Sequence, residues 1–200
     1  MSEDDSRKRR SAGLAAVAVS GKLGYPNLSI PQILDVSGLD ESDFHEIFSH
    51  VAESYAAGYA LGMDELAGAI REACEGAEGL PQKMIAGLTA LSMKIASEPD
   101  LARGLLAEVH LAGGAVLRTR ERFIQQFEEL LNGLQGGSDT PPPVTATFVL
   151  GMIEAVATRS LREEDPSVFA KAIPDLMFIA VTLYSGRDTA EAAYERFRRD

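Results

Sequence analysis

The spacing of apolar residues constrains the fold of this chain more than any other feature of its sequence. Met84, Leu88, Leu91 and Ile95 follow an i, i+4, i+7, i+11 pattern, which places them on one face of an α-helix. Similar stretches follow one another along the 200 residues, and breaks rich in glycine and proline separate them. Aromatic residues make up only 6% and tryptophan is absent, a composition that argues against a β-sandwich. The sequence therefore predicts an all-α protein.

The N-terminal part of the chain predicts a small three-helix unit. Gly24 and the nearby Pro26 end a first, longer helix. Ser29 is placed to cap a second, short helix, and Asp40 is placed to cap a third. Gly38 lies between the two short helices, where it permits a tight turn. Two short helices joined by a glycine-containing turn, behind a longer helix, form a helix-turn-helix.

Two domains are expected, a head over residues 1–50 and a helical body over residues 51–200. The first ten residues are predicted to form a disordered arm, which ends in a run of four bases. The clearest loop of the body runs from Gly136 to Pro143 and contains three consecutive prolines.

The two helices predicted after that loop, Val144–Leu161 and Pro166–Tyr184, are apolar over most of their circumference. Such a helix must be covered on two sides, and the other helices of one chain can cover only one. We therefore expect a partner subunit to cover the second side in a homodimer. The alternative is that both helices are central to the core of one chain. The interface is expected to include Phe148, Met152, Val156, Ile173, Met177 and Val181.

Charge and cysteine content indicate where the protein acts. The formal net charge is -11, so DNA phosphates repel the molecule overall and any DNA contact needs a local basic patch. No apolar run approaches the roughly 20 residues that span a bilayer, and the acidic N-terminus does not resemble a secretory signal. Cys74 is the only cysteine, which fits a reducing compartment. We therefore expect a cytoplasmic protein that does not bind membranes.

The sequence does not predict catalysis or metal binding. His45 and His50 are five residues apart, about 500° of helical rotation, so their side chains diverge. A helical zinc motif needs a spacing of four. Cys74 has no base placed to activate it and is expected to be a small buried residue. We expect a protein without enzyme activity, metal or cofactor.

The segment from Ala15 to Phe48 resembles the DNA-binding head of the TetR family of bacterial transcription regulators. The resemblance rests on twelve residues whose spacings follow the family pattern without a gap. They are Ala15, Ala16, Gly24, Tyr25, Ser29, Ile30, Ile33, Ser37, Gly38, Leu39, Phe44 and Phe48. The rest of the chain resembles the family's ligand-binding and dimerisation body in helix number and length. The resemblance implies a ligand-responsive regulator, expected to be a repressor, that binds a pseudo-palindromic operator in double-stranded DNA as a homodimer.

The resemblance also implies where DNA and ligand bind. The residues expected to contact DNA are Arg7, Lys8, Arg9, Arg10, Ser29, Gln32, Ser42 and His45. A small apolar ligand of unknown identity is expected between helices of the body. The candidate residues for that site are Met84, Leu88, Met93, His110, Phe123 and Phe127. The alternative is that most of these six residues simply belong to the core.

The third helix departs from the family pattern in its charge. It carries Glu41 and Glu46, and His45 stands where a tyrosine is usual. Residues 11–55 hold six acids and one base, Lys22. Asp40 and Asp43 can be explained as helix caps that complement the helix dipole, but Glu41 and Glu46 cannot. An acid can instead accept a hydrogen bond from cytosine N4, or the head has lost its affinity for DNA. In the last case the protein is a TetR-like dimeric module that binds a small molecule or another protein.

Overall fold

Helices are the only regular secondary structure that the computed structural model describes for this chain, over residues 3–133, 142 and 144–198. In chain order the α-helices are α1 (Glu3–Leu23), α2 (Ile30–Ser37), α3 (Glu41–Ile47), α4 (Val51–Glu75), α5 (Gly79–Ser97), α6 (Pro99–Leu106), α7 (Gly114–Gly133), α8 (Val144–Arg162), α9 (Pro166–Ser185) and α10 (Arg187–Phe197). Short 3-10 helices, Tyr25–Asn27 and Glu108–Leu111, follow α1 and α6. The prediction of an all-α fold is confirmed. The loop predicted at Gly136–Pro143 lies, except for Pro142, outside the described residues.

Helix α1 begins at Glu3, so the prediction of a disordered arm is wrong for residues 3–10. Three acids occupy the first turn of α1, where negative charge interacts favourably with the helix dipole. Asp4 lies 2.5 Å from the guanidinium of Arg7 and 3.4 Å from the ammonium of Lys8, at the spacing of one helical turn. These charge pairs support a helix in a polar segment that hydrophobic periodicity does not detect.

The helix-turn-helix is built from three local signals. Ser29 and Gln32 form a capping box at the start of α2. Helix α2 ends at Gly38, whose φ of 72° lies in the left-handed region that glycine adopts without strain. Asp40 caps α3 by accepting a hydrogen bond from the backbone N–H of Asp43 at 2.8 Å. The predicted caps and turn are therefore present.

The chain divides into two compact units. The first comprises Met1–Glu65 and Ser97–Glu121, and the second comprises Leu66–Ala96 and Arg122–Asp200. Helices α4 and α7 contribute residues to both units. The boundary expected after residue 50 does not coincide with the limits of either unit, and it stays a prediction.

In the first unit, α1 packs against α4 and α6 through backbone contacts at glycines. A Cβ atom added at Gly58 of α4 would overlap the carbonyl oxygen of Gly13. A Cβ atom added at Gly21 would overlap the carbonyl oxygen of Asp100 at the start of α6. Any side chain at Gly58 or Gly21 would therefore force these helices apart.

The helix-turn-helix is held to α1 by a small apolar core. Ile33 of α2 and Phe44 of α3 are fully buried, and Phe48 is 1% exposed. The rings of Phe44 and Phe48 pack at 5.6 Å between centroids. Both phenylalanines therefore belong to the core of the head.

In the second unit, α9 packs against both α8 and α10. Tyr194 of α10 donates a hydrogen bond to Asp175 of α9 at 2.9 Å, and its ring meets that of Phe178 edge-on at 5.5 Å. Cys74 of α4 is buried, as predicted, and burial raises the pKa of its thiol. The thiol donates a hydrogen bond to the carbonyl oxygen of Lys83 at 3.4 Å.

Helices α8 and α9 are long and apolar enough to cross a membrane by length and composition, with mean hydropathies of 1.3 and 1.5. This differs from the expectation that no apolar run approaches the length of a span. Buried helices of water-soluble proteins pass the same test, and α8 and α9 pack against each other. Of the residues in the two apolar stretches, 33% and 39% are buried, and large apolar residues such as Phe148 of α8 and Leu183 of α9 remain exposed in one chain.

Candidate nucleic-acid interface

The start of α2 offers less to a phosphate than the sequence predicts. The hydroxyl of Ser29 donates a hydrogen bond to the Gln32 side-chain oxygen at 2.8 Å. The backbone N–H of Ser29 donates to the same oxygen at 3.0 Å. The two side chains expected to touch DNA are thus engaged with each other. The Ser29 hydroxyl must give up this hydrogen bond to donate to a phosphate, whereas the side-chain NH2 group of Gln32 takes no part in these bonds.

The outer face of α3 is exposed and carries net negative charge. Glu41, Ser42, His45 and Glu46 are all exposed, as a helix that reads DNA requires. The imidazole Nε2 of His45 lies 3.9 Å from a carboxylate oxygen of Glu41. This face can offer the Ser42 hydroxyl and the His45 imidazole to a base edge, but its two glutamates repel phosphates.

The cap of α3 adds a further fixed negative charge. Asp40 accepts hydrogen bonds at 2.8 Å from the backbone N–H of Asp43 and from the hydroxyl of Ser42. These bonds favour the ionised carboxylate and lower the pKa of Asp40 below its usual value. In the second of these bonds the Ser42 hydroxyl is the donor, so its proton is already used within the head.

Lys8 and Arg9 of α1 lie directly against α3. The ammonium of Lys8 is 2.5 Å from a carboxylate oxygen of Asp43, and this hydrogen bond, more than any other cause, raises the pKa of Lys8. The guanidinium of Arg9 lies 4.7 Å from the centroid of the Phe48 ring and donates a hydrogen bond to the carbonyl oxygen of Ile47 at 3.3 Å. Both cations therefore hold α1 against α3 and the residue that follows it, Phe48.

The remaining two bases of this run are also paired within the chain. Arg7 pairs with Asp4 on its own helix at 2.5 Å, and Arg10 lies 2.6 Å from a carboxylate oxygen of Glu65 in α4. Residues 7–10, called the basic segment below, thus form part of the packed head. An unpaired, flexible arm for DNA was expected, and the structure corrects that expectation because each cation has an acidic or aromatic neighbour.

The candidate ligand residues of the body differ widely in burial. Met84, Leu88 and Phe123 are buried, and Phe127 is half-buried, which suits either a core or a pocket wall. Met93 is 66% exposed, so it does not line an enclosed cavity, contrary to the prediction. His110 is exposed as well, and it belongs to the first compact unit while the other five belong to the second.

The apolar faces of α8 and α9 are arranged differently from the prediction. In α9, Met177 and Val181 are fully buried and Ile173 is 6% exposed, so these three residues are covered within one chain and are not available to a partner. The exposed apolar residues of α9 are instead Ile179 and Leu183, on the opposite side of the helix. Sequence periodicity could not decide which of the two apolar sides faces inward.

Helix α8 keeps an open apolar stripe. Val144 is 67% exposed and Phe148 is 59% exposed, and Gly151 and Ala155 continue the stripe as exposed residues one turn apart. Of the interface residues predicted on α8, Phe148 lies on this stripe, while Met152 and Val156 are half-buried beside it.

Sequence reasoning missed two polar groups that organise the head. The hydroxyl of Tyr55 is buried and donates a hydrogen bond to the carbonyl oxygen of Gly104 at 2.7 Å, and burial raises the pKa of Tyr55. The carboxylate of Glu65 pairs with the guanidinium of Arg10. A tyrosine repeated one turn later, at Tyr59, was the only sequence signal for this cluster. Within the described residues, no group of three or more His, Cys, Asp or Glu is placed to hold a metal ion.

No model of a known protein family matches the chain, and no curated protein sequence matches it either. Solved structures do resemble it. The fatty acid degradation regulator FadR from Bacillus halodurans has 15% sequence identity and a TM-score of 0.74, over 90% of this chain and 95% of that chain. FadR from Bacillus subtilis, in complex with stearoyl-CoA, has 14% identity and a TM-score of 0.72, over 88% and 97%. TylP, a TetR regulator from Streptomyces fradiae, has 17% identity and a TM-score of 0.68, over 95% and 92%. Together with the helix-turn-helix head, these likenesses show that the chain has the fold of the TetR-family transcriptional regulators.

Proposed function

We propose that this protein is a cytoplasmic, DNA-binding transcription regulator that acts as a homodimer on a pseudo-palindromic operator. Its expected mode is repression, relieved when a small apolar molecule binds the helical body. The observation that carries the proposal is the complete helix-turn-helix scaffold with the outer face of α3 exposed, in a chain with the fold of TetR-family regulators.

In this proposal α3 enters the major groove of DNA. Ser42 and His45 would approach base edges, while Glu41 or Glu46 would accept a hydrogen bond from cytosine N4. Phosphate contacts would have to come from the basic segment and from the first-turn N–H groups of α2. Because three of the four bases of the basic segment are already paired with acids, we expect low affinity for DNA of arbitrary sequence.

The dimer would form through the open apolar surface of α8 and α9. Val144 and Phe148 of α8 and Ile179 and Leu183 of α9 are the large apolar residues that one chain leaves exposed on these helices. A second copy that covers them would complete a four-helix arrangement about a two-fold axis. Two heads held at a fixed spacing would then match two half-sites of an operator.

An apolar ligand is the effector that the body supports best. The buried side chains of Met84, Leu88 and Phe123 offer apolar walls, and methionine adapts to ligands of different shape. The Bacillus subtilis structure of the same fold contains stearoyl-CoA, whose acyl chain is apolar.

The test is selection of genomic DNA fragments by the intact protein at low salt, followed by titration of an enriched fragment at several salt concentrations. Enrichment of a pseudo-palindromic sequence, bound with a saturable isotherm, is the expected result. Failure to enrich any sequence, by a protein that sediments as a dimer, would contradict operator binding.

A second candidate function is favoured by one specific observation. The four bases of the basic segment are paired within the chain, and the exposed face of α3 bears Glu41 and Glu46. A head with these charges suits a dimeric binding module that has weak or lost affinity for DNA.

The double substitution Glu41→Gln with Glu46→Gln separates the two functions. If the glutamates only repel DNA, it should tighten binding to every duplex. If one of them reads cytosine, it should weaken operator binding by about 1–3 kcal/mol and relax one base position. Glu75→Gln, an exposed change at the end of α4, is the matched control.

A further inference from the structure

The turn that leads into α2 has no side-chain cap of its own. This turn is the short 3-10 helix Tyr25–Asn27, and Gly24 stands at its N-cap position. The φ of Gly24 is 85° and its ψ is 139°, a backbone conformation that residues with a side chain rarely adopt. A serine or aspartate, which could accept a hydrogen bond from the first N–H groups of the turn, would therefore be strained at this position. The cap has to come from another part of the chain.

Glu108 supplies that cap from 83 positions further along the chain. Its carboxylate oxygen accepts a hydrogen bond from the backbone N–H of Tyr25 at 2.8 Å. The same oxygen lies 3.9 Å from the point where a Cβ atom of Gly24 would stand, close to the place of a capping side chain. Glu108 and Tyr25 are both half-buried, and hydrogen bonds to an ionised carboxylate are among the stronger ones in proteins.

The side chain of Tyr25 is held by the same part of the chain. Its ring meets the ring of Tyr55 edge-on, at 4.9 Å between centroids. Tyr55 is fully buried, and its hydroxyl donates a hydrogen bond to the carbonyl oxygen of Gly104 at 2.7 Å. Gly104 lies four residues before Glu108, and a Cβ atom added to it would overlap the carbonyl oxygen of Val17 in α1. The turn therefore rests on a segment that is itself fixed against α1, and all of these residues belong to the first compact unit.

The position of the turn decides where α2 begins. The backbone N–H of Leu28 donates a hydrogen bond to the carbonyl oxygen of Tyr25 at 3.1 Å, and the next residue, Ser29, forms the capping box of α2 with Gln32. Ser29 and Gln32 are two of the residues expected to contact DNA. A turn that moved freely would leave these two side chains without a fixed position, and ordering them on binding would cost affinity.

We infer that Glu108 is a positioning residue of the DNA-binding head, although it lies outside the helix-turn-helix. Its carboxylate holds the turn before α2 in the place from which Ser29 and Gln32 approach DNA. Glu108 carries the same sign of charge as a phosphate, so it acts through position rather than through contact with DNA. This role rests on the proposed function, because it concerns how the head approaches an operator.

Two variants of Glu108 separate position from charge. Glu108→Gln keeps a side-chain oxygen that can accept the hydrogen bond but removes the charge, whereas Glu108→Ala removes both. Glu108→Ala should bind the duplex enriched by the selection about fivefold more weakly than the wild type, and Glu108→Gln should bind it at least as tightly as the wild type. The slope of log affinity against log salt should stay unchanged, because no phosphate contact is lost. Tighter binding by both variants would show an effect of charge alone, and that result, or equal affinity of all three proteins, overturns the inference.

Amide hydrogen exchange of the full chain measures the same hydrogen bond without DNA. The amides of Tyr25 and Leu28 are both hydrogen-bonded in this turn, and in Glu108→Ala they should exchange about tenfold faster than in the wild type or in Glu108→Gln. Asp165→Ala is the matched control, because Asp165 also accepts a backbone hydrogen bond, at 2.9 Å, but belongs to the second unit. It should change neither exchange at the turn nor affinity for DNA.

The two measurements distinguish failure of this role from failure of the proposed function. Unchanged exchange at Tyr25 in Glu108→Ala overturns the inference whether or not the protein binds DNA. Faster exchange with unchanged affinity for DNA overturns it as well, because the turn would then not position the head. A wild-type protein that selects no operator contradicts the proposed function, and the exchange of Tyr25 still decides whether Glu108 holds the turn.

Discussion

The second half of helix α1 and the α8–α9 pair are both apolar, but α1 is covered within its unit, whereas α8 and α9 keep large apolar side chains exposed. Around α1, glycines let the backbones of α4 and α6 touch it, and its polar end is paired with acids of α3 and α4. On α8 and α9, large side chains such as Phe148 and Leu183 remain exposed. The contrast is between a helix whose contacts are made within its own unit and a helix pair that leaves large apolar side chains exposed, which is the surface that the proposed dimer would use.

The largest effect is expected from a charge placed inside the α8–α9 pair. Met177 is fully buried, so Met177→Glu should cost about 3–5 kcal/mol and unfold the second unit. Phe148 is 59% exposed, so Phe148→Glu should convert a dimer to folded monomers. Sedimentation velocity and far-ultraviolet circular dichroism distinguish the two outcomes. A wild-type protein that is monomeric at micromolar concentration would show that the open surface has another purpose.

The next largest effect concerns the closed region around α1. Gly58→Ala would push a methyl group into the backbone of Gly13, and we expect a loss of about 2 kcal/mol or more in the free energy of unfolding. Gly68 lies in the same helix, and a Cβ atom added there has no neighbour within 4 Å. Gly68→Ala should therefore stabilise the protein by up to about 1 kcal/mol. Chemical denaturation of both variants measures the difference, and equal effects would mean that α1 and α4 are not in backbone contact.

The same two regions show which parts of the fold the sequence could predict. Caps and turns such as Ser29, Gly38 and Asp40 depend on neighbouring residues, and the structure confirms them. The inner side of α9 depends on which of two apolar faces packs inward, and a sequence that is apolar on both faces does not encode that choice locally. Met177 was therefore assigned to the wrong side.

The candidate site shows a second limit, which is the pairing of charges over long distances. The basic segment reads as a DNA-binding arm when only its own residues are considered. Its partners Asp43 and Glu65 lie 35 and 55 positions away from Lys8 and Arg10, and only the packing of α1 against α3 and α4 brings them together. The number of positive charges in the head that are free to contact DNA therefore depends on the tertiary structure.

Releasing those charges should change DNA binding by a moderate amount. Asp43→Asn with Glu65→Gln removes the distant acidic partners of Lys8 and Arg10 without deleting a base, and leaves Lys8 only its pairing with Asp4 at 3.4 Å. Each cation that gains a phosphate contact adds about 0.9 to the slope of log affinity against log salt, so the slope should steepen by up to about 1.8 units. Fluorescence anisotropy with one duplex at several salt concentrations measures it, with Glu75→Gln as the control. An unchanged slope would mean that the basic segment does not reach DNA even when it is released.

The smallest effect compares the two aspartates that cap helices in the two regions, Asp40 of α3 and Asp165 of α9. Each accepts a backbone hydrogen bond, from Asp43 at 2.8 Å and from Ser167 at 2.9 Å. The bond from Asp43 lowers the pKa of Asp40, and a hydrogen bond from the side chain of Ser167, followed by its backbone bond, lowers the pKa of Asp165. A lowered pKa in the folded state means that the stabilisation is complete above the unfolded value of 3.8 and is lost as the pH falls through the folded value. Asp40→Asn should therefore lower the melting temperature by a few degrees at most near neutral pH, and the difference from the wild type should shrink toward about pH 3.

Asp165→Asn should show the same pH dependence, but Asp165 caps a helix of 20 residues with a buried face, whereas α3 has only 7 residues. We expect the smaller change for Asp165, because packing rather than the cap holds α9 in place. Thermal melts of both variants at several pH values test this order, and a larger effect at Asp165 would contradict it.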